Sequence, residues 1–527
     1  MLNYDIRTPS GESDLEEYDI HGNGVAPNPF PGLRPFSIDE CHLFFGREGQ
    51  VDEVLVKLAE NRFVTVMGYS GSGKSSLMYC GLVPILYGGF MTDVGANWNV
   101  ITSRPGVAPI DNLAASLLNS DPEIDSSVSE EELLVNKTVI ASLLRSNSHG
   151  LVEAIEKRFK KHGENTFILI DQFEELFRYR DDYSLFEESR AYVSLLLDAC
   201  RNSSVPIYVA ITMRSDYIGE CAKFPGLTQL INQSNYLVPQ MTRDQKRVAI
   251  EGPVAVGGGA ITKRLVKRLL NEIGDNQDQL PILQHALMRT WDYWVRNRDE
   301  NEPLDIRHYN AVGKITEALS LHANEAYDEL SSSEREIAEI LFKALTEKTN
   351  ENQGLRRPAR LSYVAELAGA TEEEVAKVVE KFRQPGRSFL MPPSNVPLQS
   401  DSIIEISHES LMRIWTRLKV WVDEEYESAQ MYRRLSEAAA MYQIGRTGLW
   451  RPPDLQLALN WQKKQKPTRT WAQRYDEAFE RAIVFLDTSR ITYEAEQKNQ
   501  EMLQRRLLKR TKIVAVVLGI STVISII

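Results

Sequence analysis

Apolar residues follow two different rhythms along this chain. In the first half they gather in short, unbroken runs bounded by glycine or polar residues: FVTVMG (63–68), NVIT (Asn99–Thr102), TFILI (Thr166–Ile170) and PIYVAIT (Pro206–Thr212). Runs this short and this rich in β-branched residues predict buried strands. Helical spacing fills the stretches between them, beginning with an amphipathic helix from about Glu48 to Glu60. Strands that alternate with helices predict a parallel sheet covered by helices on both faces.

After about Thr242 the strand rhythm fades. ITKRLVKRLLNEI and LPILQHALMRTWDYW carry apolar residues at helical spacing. Further on, SFLM and IIEIS follow helices and predict the two short strands of a small winged-helix unit. The pattern divides the chain into a leader (1–28), an α/β nucleotide-binding domain (29–242), a helical domain (243–330), a winged-helix-like domain (331–425), and a helical region and stalk (426–512). No internal repeat is present.

The last segment, 513–527, reads IVAVVLGISTVISII and carries no charge, while Arg505, Arg506, Lys509, Arg510 and Lys512 lie just before it. Basic residues flanking an uncharged run are the pattern of a cytoplasmic membrane boundary. The expectation is a cytoplasmic protein held at a membrane by its C-terminus. The run is shorter than a full span, which leaves a cut transmembrane helix, a short anchor and a helix buried against another subunit as its three readings.

Composition changes this picture little. Hydrophobic residues make up 43% and charged residues 25% of the 527, an ordinary globular balance. The net charge of −12 disfavours a general nucleic-acid binder. Cys41, Cys80, Cys200 and Cys221 match neither a zinc site nor a disulfide framework and read as buried thiols.

The candidate chemistry lies at the ends of the predicted strands. GYSGSGKS, Gly68 to Ser75, fits G-x-x-x-x-G-K-[ST] between a strand and a helix. A loop that wraps a triphosphate with backbone N–H groups must lack side chains at its close approaches, which Gly68, Gly71 and Gly73 supply, with Ser70 and Ser72 between them. Lys74 then reaches the β- and γ-phosphates, Ser75 ligates Mg²⁺, and Ser76 continues the helix whose N-terminus faces the phosphates. FILIDQFEELF delivers Asp171 at the end of a buried strand, suited to hold Mg²⁺. Glu174 and Glu175 follow. Either one is the general base for the attacking water, or both are acidic residues opening a helix. Arg214 stands just past the fourth run, either as a γ-phosphate sensor or as a surface arginine paired with Asp216.

Taken in order, NPFPGLRPF, FFGREGQVDEV, the phosphate loop, GLVPIL, WNVITSRPGVAPIDNLA, LIDQFEELF, ITMRSDY, AIEGPV, LPILQHAL and SHESLMRIWTRLKVWV resemble the novel STAND NTPases. These are a branch of the signal-transduction ATPases with numerous domains, related to the NACHT and NB-ARC switch ATPases. The resemblance runs from Asn28 to about Glu425 and more weakly to Arg490. It implies that Gly46, Arg47 and Glu48 lie against the base and ribose, that Asp171, Glu174 and Glu175 form the Walker B segment, and that Arg214 is the sensor arginine. It further implies that Pro281 packs on the adenine and that His408 touches the β-phosphate in an ADP-bound closed state. Related switches often carry glycine two residues before that proline; here the residue is Gln279.

The resulting expectation is a slow, regulated ATPase that binds ATP or ADP with Mg²⁺ and switches conformation or forms a homo-oligomer. A sensor ligand or effector protein is its implied partner. The alternative is a nucleotide-dependent structural adaptor with little hydrolysis, and a motor on nucleic acid is the least favoured reading.

Overall fold

The structure, a computed structural model, describes residues 27–89, 96–121, 129–177, 183–201, 204–274, 279–348 and 354–526. Nearly all of the expected leader lies outside these residues. The chain divides into two compact units, 1–318 and 319–527.

The first unit is built on a five-stranded parallel sheet of β1 (Phe63–Gly68), β2 (Trp98–Ser103), β3 (Asn165–Ile170), β4 (Ile207–Arg214) and β5 (Asn235–Leu237), in the order β2-β3-β4-β1-β5. The four apolar runs of the sequence are β1 to β4. Alternate residues serve opposite faces, as the pleat requires. Phe63, Ile168, Ile170, Val209 and Ile211 pack into one core, while Val64, Val66, Phe167, Leu169 and Ala210 pack into the other. Both faces are therefore buried, which is why the strands read as continuous apolar runs. The fifth strand carries no such signal because only three residues pair along one edge of β1.

Helices Arg243–Val256, Lys263–Glu272 and Gln279–Asn297 complete the unit around Ile250, Leu269, Leu283 and Trp291. The NPFPGLRPF segment ties the two parts together. Asn28 donates to the carbonyl of Met288 at 2.9 Å and to Asp292 at 2.7 Å, and Phe30 meets Trp291 edge-on. Eight residues after Asn28, the Phe36 N–H donates to Ser76 Oγ at 3.2 Å, beside the phosphate loop.

In the second unit helices Ser332–Ala344, Leu361–Ala368 and Glu372–Arg383 pack on one another. Two-stranded β6 (Thr346–Lys348) and β7 (Gly354–Arg356) precede an antiparallel sheet ordered β8-β10-β9, made of Ala359–Arg360, Ile403–Ile406 and Leu390–Met391. Three helices with such a sheet are the winged-helix arrangement that SFLM and IIEIS predict. Helices Thr416–Gln443, Asp454–Gln465 and Phe479–Ile526 then gather around Tyr432, Trp461 and Phe485.

The membrane anchor expected at the C-terminus is overturned. Among the described residues no helix is long and apolar enough to cross a membrane. The apolar run lies in helix Phe479–Ile526, directly after a basic stretch of the same helix. Extending the window to 18 residues takes in Lys509, Arg510 and Lys512. A transmembrane helix and a membrane-anchored location are therefore not supported. Residues 497–521 of this helix are exposed throughout.

Candidate functional site

Parallel strands bring their C-terminal ends to one edge, and loops there converge. At this edge β1 ends in Gly68 and the phosphate loop turns into the helical run that begins Lys74–Ser76. Gly73 takes φ +89° immediately before Lys74, a left-handed conformation that favours glycine, and Gly71 takes φ +73°. A Cβ at Gly68 would come 2.7 Å from Ser72 Oγ, so the loop folds back tightly on the strand. Lys74 Nζ donates to the carbonyls of Gly68 at 3.0 Å and Tyr69 at 2.8 Å. The helix continues through a π segment, Leu77–Leu82.

β4 lies between β1 and β3 and supplies the bridge between the loop and Asp171. Asp171 is fully buried. Its Oδ1 accepts from Ser75 Oγ at 2.7 Å and from Thr212 Oγ1 at 2.6 Å. Thr212 in turn accepts the Gln172 N–H at 3.1 Å. Arg104 Nη2 stands 3.4 Å from Asp171 Oδ2. A serine hydroxyl beside a buried carboxylate is a hard oxygen donor set suited to Mg²⁺, and the glycine-permitted loop is suited to phosphate.

The two glutamates after Asp171 part company. Both are buried in the 3-10 turn Phe173–Phe177. Glu174 accepts the Arg214 N–H at 3.3 Å, and burial pushes its carboxyl above the ordinary value against the pull of Lys74 and Arg214. Glu175 turns to the β2 loop and accepts the Gly106 N–H at 3.0 Å. Arg214 forms a two-point pair with Asp216, at 3.1 and 2.7 Å, and lies over the Tyr217 ring. Its side chain is 14% exposed and that of Asp216 47%, so the pair lies at the surface with the guanidinium on its inner side, as the reading of an arginine paired with Asp216 has it.

Arg47 is buried beneath the phosphate loop. It donates to the carbonyl of Ser72 at 2.7 Å, to that of Pro239 at 2.7 Å, and to Gln50 at 2.9 Å. Burial lowers its pKa to about 10. Gly46 takes φ +85°, and a Cβ there would come 2.6 Å from the Gln245 carbonyl and from Met241 Cε. A cavity opens alongside, lined by Arg47, Tyr69, Ser72, Pro239, Met241 and Gln279 among others. Leu280 also lines it, and Pro281, next in the chain, is half-buried near the start of helix Gln279–Asn297. Ser76 turns its hydroxyl to Phe36.

His408 belongs to the second unit. Its Nδ1 accepts the Ser410 N–H at 3.1 Å and lies 2.8 Å from Ser410 Oγ, at the start of helix Ser410–Ile414.

Thr212 and Arg104 were not singled out from the sequence. Both obey the rule that found Asp171, since Arg104 directly follows β2 and Thr212 lies near the end of β4.

A family model described as "Novel STAND NTPase 1" matches residues 29–447. No curated protein matches the sequence. Among solved structures, the Aeropyrum pernix ORC1 protein in complex with DNA is 11% identical at TM-score 0.39, covering 71% of this chain and 93% of its own. Cdc6p from Pyrobaculum aerophilum is 13% identical at TM-score 0.31, covering 76% and 100%. The RuvB Holliday junction branch migration motor of Thermotoga maritima is 13% identical at TM-score 0.31, covering 72% and 97%. At these identities and TM-scores the likenesses carry no functional argument.

Proposed function

This chain belongs to the Novel STAND NTPase 1 family, and from that premise we propose that it is an ATPase acting as a nucleotide-controlled switch. The observation that carries this reading is the contact of Ser75 with Asp171 at the mouth of the phosphate loop. The backbone of Gly68 to Ser75 would hold the phosphates, and Lys74 would neutralise them. Ser75 and Asp171 would hold Mg²⁺, which when bound supplies charge neutralisation to the phosphates. Glu174 takes the proton of the attacking water, supported by its burial between Asp171, Lys74 and Arg214. Arg214 answers the terminal phosphate, exchanging its pairing with Asp216. The cavity beside Tyr69, Met241 and Leu280 takes the base, with adenine favoured by the family, and Arg47 holds loop and cavity wall together.

The family resemblance assigns His408 to the β-phosphate, and on that reading ADP favours a closed form and ATP an open or assembling one. Mass measurement of the purified protein, free, with ADP and with a non-hydrolysable ATP analogue, tests this. A larger assembly with the analogue alone supports it, and one unchanged mass in all three rejects switching by assembly. Phosphate release with Lys74→Ala as control separates this reading from the adaptor. His408→Ala should release ADP faster, and a wild-type off-rate rejects its role.

A further inference from the structure

The loop after β2 is held more firmly than a connection requires. The Gly106 N–H donates to the buried Glu175 carboxylate at 3.0 Å. The Asn112 amide donates to the carbonyl of Pro105 at 2.9 Å and reaches that of Arg104 at 3.3 Å. Gly106 takes φ +57°, and a Cβ there would come 2.8 Å from Asn112 Nδ2, so a larger residue would displace the anchor. The backbone around Arg104 is thereby fixed, and its guanidinium is presented to Asp171 Oδ2 at 3.4 Å. The Arg104 side chain is 32% exposed while that of Asp171 is 1% exposed, so Arg104 reaches from the solvent side of the cleft. Asp171 Oδ1 already accepts two hydroxyl hydrogens, from Ser75 and Thr212. A divalent cation at Ser75 and Asp171 would share this one buried carboxylate with the guanidinium.

We propose that Arg104 is a positioning residue that sets the divalent-cation affinity of the nucleotide site by competing with the cation for Asp171, and that Glu175 acts through it by pinning Gly106. This rests on the nucleotide reading above. Two cations sharing one buried carboxylate oppose each other, because each lowers the field available to the other. The coupling is reciprocal: cation entry loosens Arg104 from Asp171, and an anion that draws Arg104 away, such as a terminal phosphate, tightens the cation. It also separates the two glutamates of LIDQFEELF, with Glu174 facing the phosphate loop and Glu175 setting the reach of Arg104.

The test is Mn²⁺ binding to the full chain loaded with ADP, read by electron paramagnetic resonance at pH 8. Arg104→Met should tighten Mn²⁺ on the order of tenfold. Arg104→Lys, which keeps the charge, should stay near wild type, and Arg104→Gln gives the neutral comparison if the Met variant does not fold. Glu175→Leu, which frees Gly106, should shift the affinity in the same direction by less. Neutral variants that fold and bind Mn²⁺ as wild type does, or more weakly, overturn the proposal. Wild-type affinity in Glu175→Leu overturns the role of Glu175. A wild-type protein that takes up no Mn²⁺ with ADP overturns the nucleotide reading itself.

Discussion

Ser75 Oγ donates to Asp171 Oδ1 at 2.7 Å although 96 positions separate them along the chain. One residue ends the phosphate loop and the other follows β3, with β4 between their strands. The contact therefore reports β1, β4 and β3 in register.

Lys74→Ala removes the ammonium that rests on the carbonyls of Gly68 and Tyr69. In the proposed complex this ammonium would turn to the phosphates, where a charge-assisted hydrogen bond contributes about 1.5–3 kcal/mol, so triphosphate affinity should fall at least tenfold. A binding titration checks it, and unchanged affinity would reject the loop as the phosphate site.

Asp171→Asn should retain part of the nucleotide affinity and lose its dependence on Mg²⁺, because the amide offers a poor ligand for a hard cation. The comparison is nucleotide affinity with and without Mg²⁺ in both proteins. An equal Mg²⁺ effect would show that another group holds the metal.

Glu174→Gln should abolish hydrolysis while bound ATP is retained. The sign of its pH behaviour follows from burial, which raises the carboxyl above 4.5. The folded protein then binds the proton more tightly than the unfolded chain, so stability attributable to Glu174 is present at low pH and is lost as pH rises through the raised value. Glu174→Gln should accordingly raise the melting temperature at pH 8 more than at pH 4. The activity of the wild type should rise with pH through the same raised value, since a base must be ionised. An equal effect on melting at both pH values would contradict this.

Arg47→Met should weaken the phosphate loop through Ser72 and the cavity wall through Pro239 together. Loss of these buried bonds should cost about 3 kcal/mol of stability and also lower nucleotide affinity. Calorimetry with and without ADP checks both, and an unaltered stabilisation by ADP would confine Arg47 to a packing role.

Asn28→Ala removes two bonds to helix Gln279–Asn297. A loss of about 1–2 kcal/mol is expected in the melting of the first unit. If the segment also sets the nucleotide cavity, ADP affinity falls with it.

The sequence alone carried the α/β class, four of the five sheet strands and the family, and it placed the phosphate-loop motif after one buried strand and Asp171 after another, because each rests on local pattern. Buried parallel strands must be apolar on both faces, and a phosphate loop must have glycine where the chain comes close. A β2-β3-β4-β1-β5 order is not written in any one segment. Only tertiary structure decided that Glu174 turns to the Arg214 N–H while Glu175 turns to that of Gly106, that Arg47 lies under the loop, and that Arg104 and Thr212 meet Asp171. The C-terminal run shows the opposite limit: its apolar character was plain in the sequence, yet Lys509, Arg510 and Lys512 share its helix, and among the described residues no helix is long and apolar enough to cross a membrane. Neighbouring residues in one sequence motif diverge because side-chain direction depends on the strands and loops folded around them, and those come from distant parts of the chain.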